Sequence, residues 1–508
     1  MTAKTNHRGA ITVCVMLATI MQALDTTIAN VALPYMQGSL SASQDQINWV
    51  LTSYIVAAAI MTPPTGWLAG RFGRKRLFLV AVVGFTIASI LCAIATSLPQ
   101  IVIYRLLQGV FGASLVPLSQ AVLLDIYPRE QQGSAMALWG VGVMVGPILG
   151  PTLGGWLTEH YDWRWVFDIN LPIGILTFVG LSTFLGETAR NTKAKLDWMG
   201  FGMLSLGIGA LQMMLDRGEQ LDWFSSTEIL TETTVSVVAF YLFFVHSFTA
   251  KDPFIPLRLF RDRNFATGIG FIFVVGIILL ATLALLTPFL QVLMGYPVVT
   301  AGLVLAPRGV GTMLAMMAVG KLIARVDTRY LILGGLSLTA IALWQMTHFT
   351  QDVSQAALIE SGFIQGLGLG FIFVPLSTNT FGTLAPADRA QGTGLFSLMR
   401  NLGSSIGISV VASLLTSETQ VNHADLAGTI TPYNRLLQAP PFAAIWNPAS
   451  LAGRAVLDAE ITRQATLIGY LDAFKLMLMV CILAMPLVLL LRKPRSAPDA
   501  HAAAAALD

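Results

Sequence analysis

Gly66-Trp67-Leu68-Ala69-Gly70-Arg71-Phe72-Gly73-Arg74-Lys75 recurs 254 residues later as Gly320-Lys321-Leu322-Ile323-Ala324-Arg325-Val326-Asp327-Thr328-Arg329. Three further matches follow in the same order. Gln108-Gly109-Val110-Phe111-Gly112 returns as Gln365-Gly366-Leu367-Gly368, and Val116-Pro117-Leu118-Ser119 as Val374-Pro375-Leu376-Ser377. Pro128 and Gly133 find Pro386 and Gly392. The offset drifts only from 254 to 259, so one multi-helix unit has been duplicated. Chance similarity between glycine-rich apolar segments would not keep four matches colinear.

The composition says what kind of unit this is. Of 508 residues, 55% are hydrophobic and 11% charged, where a soluble domain carries about 25% charged residues. With a mean hydropathy of +0.70, the chain reads as a polytopic, all-α integral membrane protein in a lipid bilayer. Runs of about twenty apolar residues fall near 10–33, 46–69, 77–98, 101–126, 134–158, 166–186, 197–215, 231–250, 265–290, 300–324, 330–348, 356–383, 392–416 and 467–491. These predict fourteen transmembrane helices. With the N-terminus inside, alternate loops hold 21 of the 30 Lys and Arg. The outer loops hold only Arg164, Arg217, Arg435, Arg454 and Arg463. That asymmetry predicts cytoplasmic N and C termini.

The repeat then divides the chain into a first six-helix bundle (1–190), an inserted helix pair with linker (191–264) and a second six-helix bundle (265–495). A polar outer loop is expected at 417–466, punctuated by Pro432, Pro440, Pro441 and Pro448, and a disordered Ala-rich tail at 496–508. Because the basic loop is cytoplasmic in both copies, the repeats are parallel, related by a pseudo-two-fold along the membrane normal. Such repeats with a site at their interface suit an alternating-access transporter. The N-terminal run is too long, and lacks the cleavage site, for a secretory signal; it is expected to stay as the first helix. Cys14, Cys92 and Cys481 lie in apolar runs and read as small hydrophobes, with no disulfide framework or thiol metal site.

Within the first run, Leu24-Asp25-Thr26-Thr27-Ile28-Ala29-Asn30-Val31-Ala32-Leu33-Pro34 carries a carboxylate among apolar residues. A charged side chain at a helix centre costs about 2.5–3.5 kcal/mol on insertion scales, so Asp25 requires a partner or a water-filled cavity. A structural carboxylate bonded to Thr26 or a neighbouring helix is the competing reading. In the fourth run, Arg105 stands near the outer end, where snorkelling to the interface would explain it. Its counterpart in the second repeat, however, is Gly362 or Phe363. A charge present in one copy and absent from the other reads as function laid on a symmetric scaffold.

The loop Gly66–Arg76 offers glycines for close packing, and Gly66, Gly73, Arg71, Arg74 and Lys75 make it a candidate gating element. Asp125, at the cytoplasmic end of the fourth run, is the candidate ionic partner of Arg74. A plain positive-inside anchor is the simpler alternative. The fifth run sets Gly140, Gly146, Gly150, Gly154 and Gly155 around Pro147 and Pro151. Small residues every four positions let another helix approach, and two prolines create a place to bend. Arg308 and Arg400 are intramembrane charges without a local partner, each a candidate to meet a carboxylate across a central cavity. Asp472 and Lys475 are spaced to pair on their own helix.

Nothing points to covalent chemistry. There is no Gly-x-x-x-x-Gly-Lys-Ser/Thr, His-Glu-x-x-His or Gly-x-Ser-x-Gly motif, and no nucleic-acid signature. Neither cofactor nor enzymatic activity is expected, and an ion or substrate gradient is left as the energy source.

In order, Gly66–Arg76, Arg105–Gly112 and Gly140–Gly155 resemble the loop, fourth-helix and fifth-helix signatures of the major facilitator superfamily, the last resembling the antiporter signature. Leu24–Pro34, the fourteen spans and Trp163-Arg164-Trp165-Val166-Phe167-Asp168-Ile169-Asn170-Leu171-Pro172 narrow this to the fourteen-helix drug:proton antiporters of the EmrB/QacA type. The outer segment and Gln464 through Phe474 look closest to the EmrB side. The resemblance implies the major facilitator fold and proton-coupled efflux of amphipathic small molecules across the bacterial inner membrane. It also implies a periplasmic adaptor protein and an outer-membrane channel as partners. Asp25 would be the proton acceptor, with Arg105 as its electrostatic partner. One departure stands out: the family loop commonly has Asp where this chain has Gly70, so its ionic lock would fall to Asp125 with Arg74. A dedicated exporter of one metabolite, siderophore, fatty acid or antibiotic is the runner-up. A non-transporting membrane scaffold or sensor is a third reading, opposed by Arg105 and the Gly/Pro-rich fifth run.

Overall fold

In the computed structural model, residues 7–188, 190–191, 195–323, 325–385, 388–430, 439, 445–447 and 450–491 are described, and among them the chain is helical throughout, without strands. The long helices are α1 (Arg8–Ser39), α2 (Trp49–Met61, continued by Thr65–Phe72), α3 (Arg74–Ala93), α4 (Leu98–Gly112, continued by Leu115–Ile126), α5 (Gln132–His160) and α6 (Asn170–Phe184). There follow α7 (Trp198–Arg217) and α8 (Thr227–Thr249). The second half supplies α9 (Arg263–Pro288), α10 (Val298–Leu322), α11 (Thr328–Met346), α12 (Gln355–Gly382), α13 (Arg389–Thr429) and α14 (Leu451–Ala484).

Among the described residues, twelve helices are long and apolar enough to cross a membrane. The other two segments expected to span are also helical. One is α2, which Pro63 and Pro64 divide into two short pieces, since a helix cannot place two consecutive proline rings in its interior without losing hydrogen bonds. The other is α11, apolar but outside the twelve. The helix pairings repeat: α1 with α5, α2 with α4 and α3 with α4 are matched by α9 with α13, α10 with α12 and α11 with α12. Duplication in the sequence is thus duplication of packing.

Two expectations need correction. The segment 417–466 is not a loop over most of its length: α13 runs on to Thr429 and α14 begins at Leu451. No proline interrupts the chain between Arg389 and Thr429, so the helix propagates beyond its apolar part, and His423 Nε2 meets Asp458 Oδ1 at 3.0 Å across the two extensions. The four prolines expected to punctuate the loop lie outside the described residues, as does the Ala-rich tail. The first helix also passes Pro34 and ends at Ser39, beyond the expected stop.

The glycines of α5 serve two neighbours. Gly146, Gly150 and Gly154 face Ala23, Thr27 and Ile28 of α1, and Thr27 Oγ1 donates to the Gly146 carbonyl at 3.0 Å. Gly133 and Gly140 meet Ile323 and Met316 around α10, while Ile148 and Thr152 of α5 fill the space at Gly309 and Gly302. Helix α5 is therefore one seam between the two halves, and Trp139 stacks on Phe373 of α12 with ring centroids 5.8 Å apart. A Cβ at Gly146 would collide with the Ala23 backbone, whereas one at Gly270 meets nothing within 4 Å. Gly146→Ala should lower the thermal midpoint of the purified protein, overpacking costing about 1–3 kcal/mol. Gly270→Ala should leave it unchanged or raise it, helix propensity favouring Ala over Gly by up to about 1 kcal/mol.

The inserted pair packs on itself through Ser236 Oγ donating to the Gly207 carbonyl at 3.0 Å. It leans on α2 and α13 through α7. Asp216 accepts from Thr52, Arg217 pairs with Glu228, and the Arg217 guanidinium lies 5.3 Å from the Trp49 ring centroid. Just before α7, Asp197 accepts from Gly200 N, Phe254 N and His246. Burial pushes its carboxyl upward, but those donors outweigh burial and hold it below the ordinary value.

Candidate functional site: a buried ion pair and a clasp between the bundles

Asp25 and Arg105 meet in the middle of the first bundle. Arg105 Nη1 donates to Asp25 Oδ2 at 2.7 Å, and the two side chains are 1% and 0% exposed. Snorkelling is thereby excluded for Arg105: its side chain turns inward. Burial of both charges removes them from water, so each must be compensated at close range, and the surrounding helices do this. Arg105 Nε donates to the Val50 carbonyl at 3.1 Å, and Nη1 also to Gln108 Oε1 at 2.7 Å. Gln108 Nε2 donates to Asp25 Oδ1 at 2.7 Å and Asn170 Nδ2 to the same oxygen at 3.0 Å. Ser89 Oγ receives from both amides, at 3.2 and 2.9 Å, and donates to the Phe167 carbonyl at 2.9 Å. The Arg105 guanidinium carbon also lies 4.3 Å from the Tyr54 ring centroid, and the Tyr54 hydroxyl accepts from Gln22 at 3.2 Å.

Five helices build this network: α1 gives the acid, α4 the arginine and Gln108, α3 Ser89, α6 Asn170 and α2 Tyr54. Gly109 makes the geometry accessible, because any side chain there would strike the Tyr54 carbonyl and hold α2 away from α4. Chemically, the arrangement is a single carboxylate whose arginine counter-charge is held in place by the Gln108 amide and the Val50 carbonyl. Gln108, Ser89, Asn170 and Tyr54 were not singled out from sequence as site residues. The available signals were the recurrence of Gln108 as Gln365 and the position of Asn170 in the Trp163–Pro172 stretch.

A second cluster ties the halves together at the end bearing the repeated loop. Asp125 pairs with Arg74 of its own bundle and accepts from Arg389 Nη1 of α13 at 3.0 Å. The same Nη1 donates to the Leu124 carbonyl at 2.7 Å. Beside it, Arg258 Nη2 reaches Asp388 Oδ1 at 2.7 Å. Gly66 lies against the backbone of Gln391, so only glycine lets the two bundles close here. Gly73 adopts φ +92° to join α2 to α3, a conformation that favours glycine. Arg74 N donates to Thr188 Oγ1 at 2.9 Å and Lys75 Nζ to the Ser182 carbonyl at 2.7 Å, docking the loop on the end of α6. Glu187, next to this loop, is held below the ordinary carboxyl range chiefly by the hydrogen bond from Arg190. Arg71 stands in the last turn of its helix, where a cation suits the exposed carbonyls. At Gly70 an added Cβ meets nothing within 4 Å, and its carbonyl accepts from Asn191 N at 2.8 Å. Arg389, the residue that carries Asp125's contact across the halves, read from sequence only as a positive-inside charge.

Pro147 and Pro151 lie within the unbroken α5, Pro151 on its α10 side, and Gly155 accepts from Thr158 Oγ1 at 3.0 Å. Arg308 is 6% exposed and donates to the Leu279 carbonyl at 2.9 Å. Arg400 reaches Asn401 Oδ1 at 3.4 Å. Each was a candidate to meet a carboxylate across a central cavity, and among the described residues neither does so in this structure. Asp472 and Lys475 pair at 2.8 Å on their own helix.

Residues 15–408 match the family model of the Major Facilitator Superfamily. The chain is 39% identical over 430 residues to the multidrug export protein EmrB of Escherichia coli (strain K12), covering 84% of each chain. It is 36% identical over 498 residues to the fatty acid resistance protein FarB of Neisseria gonorrhoeae, covering 95% of this chain and 96% of that one. Among solved structures it resembles the proton:xylose symporter XylE (TM-score 0.60, 13% identity, 93% of this chain and 95% of that). It also resembles the human organic anion transporter MFSD10 (TM-score 0.59, 15% identity, 93% and 99%). At these identities the structural likeness speaks for the fold alone.

Proposed function

The chain belongs to the Major Facilitator Superfamily, and from that premise we propose that it exports amphipathic small molecules across the bacterial inner membrane in exchange for protons. The observation that carries this reading is the Asp25–Arg105 pair: a carboxylate buried at 0% exposure, inside a membrane helix, held by one arginine and two amides. Protonation of Asp25 removes the charge that anchors Arg105 and loosens α1 from α4. Deprotonation restores the anchor. A proton moving inward supplies about 2.3 kcal/mol per 100 mV of membrane potential, with any pH gradient in addition. In this reading the end bearing Arg74, Asp125 and Arg389 is cytoplasmic and closed, and fourteen helices cross the membrane with both termini inside.

The similarity to EmrB supports multidrug export, and the similarity to FarB keeps a dedicated exporter of fatty acids as the second reading. Helices α13 and α14 extend past their apolar parts at the opposite end, joined by His423 and Asp458, and this paired extension supports docking of a periplasmic adaptor that leads to an outer-membrane channel. Reconstitution tests the main reading. In proteoliposomes an imposed pH gradient should drive efflux of a cationic dye, and a proton ionophore should abolish it. Efflux that ignores the ionophore rules out proton coupling.

A further inference from the structure

The second bundle repeats the architecture of the buried network but not its charges. Gly109 packs against the Tyr54 carbonyl, and Gly366, its repeat counterpart, packs against the Arg308 carbonyl. Tyr54 and Arg308 therefore occupy equivalent positions on α2 and α10, as the sequence offset of 254 also requires. Arg105 corresponds to Gly362, and a Cβ at Gly362 would lie 3.7 Å from Arg308 Cβ. The guanidinium has changed helices: α4 supplies it in the first bundle, across from a tyrosine, and α10 supplies it in the second, across from a glycine.

The acid has no equivalent. Helix α9, the counterpart of α1, contains no Asp or Glu along Arg263–Pro288. Arg308, 6% exposed, makes one hydrogen bond among the described residues, to a backbone carbonyl, although a guanidinium offers five N–H donors. Gln365, the counterpart of Gln108, is fully buried, and neither its amide nitrogen nor its amide oxygen has a partner. Gly362, Gln365 and Gly366 share one face of α12, by the i, i+3, i+4 spacing of a helix, and that face meets α10 at Arg308. Arg400 approaches the same turn of α9: its carbonyl packs on Gly276, one turn before Leu279. A buried cation without a counter-charge, beside a buried amide without a partner, is costly.

We propose that Arg308 and Gln365 form an anion site that receives the carboxylate or sulfonate head of an amphipathic substrate, which would supply the countercharge that α1 supplies in the first bundle. The inference rests on the export reading and names the substrate class it favours: monoanionic amphiphiles. Access follows from position. Gly309, next to Arg308, packs against Ile148 of α5 across the seam, so separating the bundles uncovers the face of α10 that adjoins the arginine. A guanidinium suits this head better than an ammonium because its planar fork matches two oxygens at once.

The test uses the full chain in proteoliposomes with two dansyl amphiphiles of equal tail, one ending in a carboxylate and one in trimethylammonium. The readout is the ratio of their efflux rates under an imposed pH gradient. Arg308→Met should lower the anion-to-cation ratio about tenfold or more, the scale of one lost charge-assisted hydrogen bond, and Gln365→Leu should lower it by a smaller factor. Each variant is first checked for a monodisperse elution profile; should Arg308→Met not fold, Gln365→Leu carries the test. An unchanged ratio in the variants overturns the anion site. Wild-type protein that moves only the cation overturns the site while leaving export standing, and wild-type protein that moves neither amphiphile overturns both.

Discussion

Asp25→Asn protein loses proton-driven efflux while still exchanging substrate across the membrane by counterflow. The amide keeps the shape of the carboxylate and can still accept from Arg105 Nη1, which lies 2.7 Å from the present oxygen, so the bundle stays assembled. What it cannot do is alternate between charged and neutral forms. The rate under an imposed pH gradient should fall about a hundredfold or more, the scale on which removal of an essential proton-transferring group acts, because the driving reaction itself is removed. Asp25→Ala behaves differently. It leaves Arg105 buried without its countercharge, at a stability cost of about 3–5 kcal/mol, and should lower the yield and melting temperature of the purified protein. Full proton-driven efflux by Asp25→Asn would show the carboxylate to be structural.

The clasp between the bundles should respond almost as strongly. Asp125 holds Arg74 from one half and Arg389 from the other. Asp125→Ala leaves two guanidiniums facing one another, and like charges then push apart the ends that Gly66 and Gln391 now bring together. Asp125 is 26% exposed, so solvent screens part of the interaction. Even half of the roughly 1.5–3 kcal/mol assigned to a charged hydrogen bond shifts a two-state population several-fold. Spin labels replacing the exposed Phe72 and Phe260 should report a longer distance in a larger fraction of Asp125→Ala molecules than of wild type. Identical distance distributions would reduce Asp125 to a surface pair.

The parts of this protein legible in its sequence are those that a bilayer makes expensive. Asp25 and Arg105 stand out because an apolar run tolerates few charges, and the duplication stands out because its glycines and prolines recur in order. Neutral polar residues send no such signal. Ser89 carries none, and Asn170 only its place in the Trp163–Pro172 stretch, yet both belong to the hydrogen-bonding shell of the ion pair. Arg389 sat among the positive-inside charges, and only the approach of α13 to Leu124 and Asp125 reveals its second role. The extensions of α13 and α14 were hidden for another reason: hydropathy marks where a helix leaves the membrane, not where it ends. Arg308 was visible as a charge and as a candidate partner for a carboxylate, but hydropathy does not show that α9 brings it a backbone carbonyl.

In the proposed exchange proton and substrate compete, so that Asp25 gives up the transported proton when substrate binds. The most direct measurement is proton release into a weakly buffered solution of the purified protein as substrate is added, followed with a pH-indicator dye at several starting pH values. Wild type should release protons, and Asp25→Asn should release none at any pH. Equal release from both proteins would contradict it.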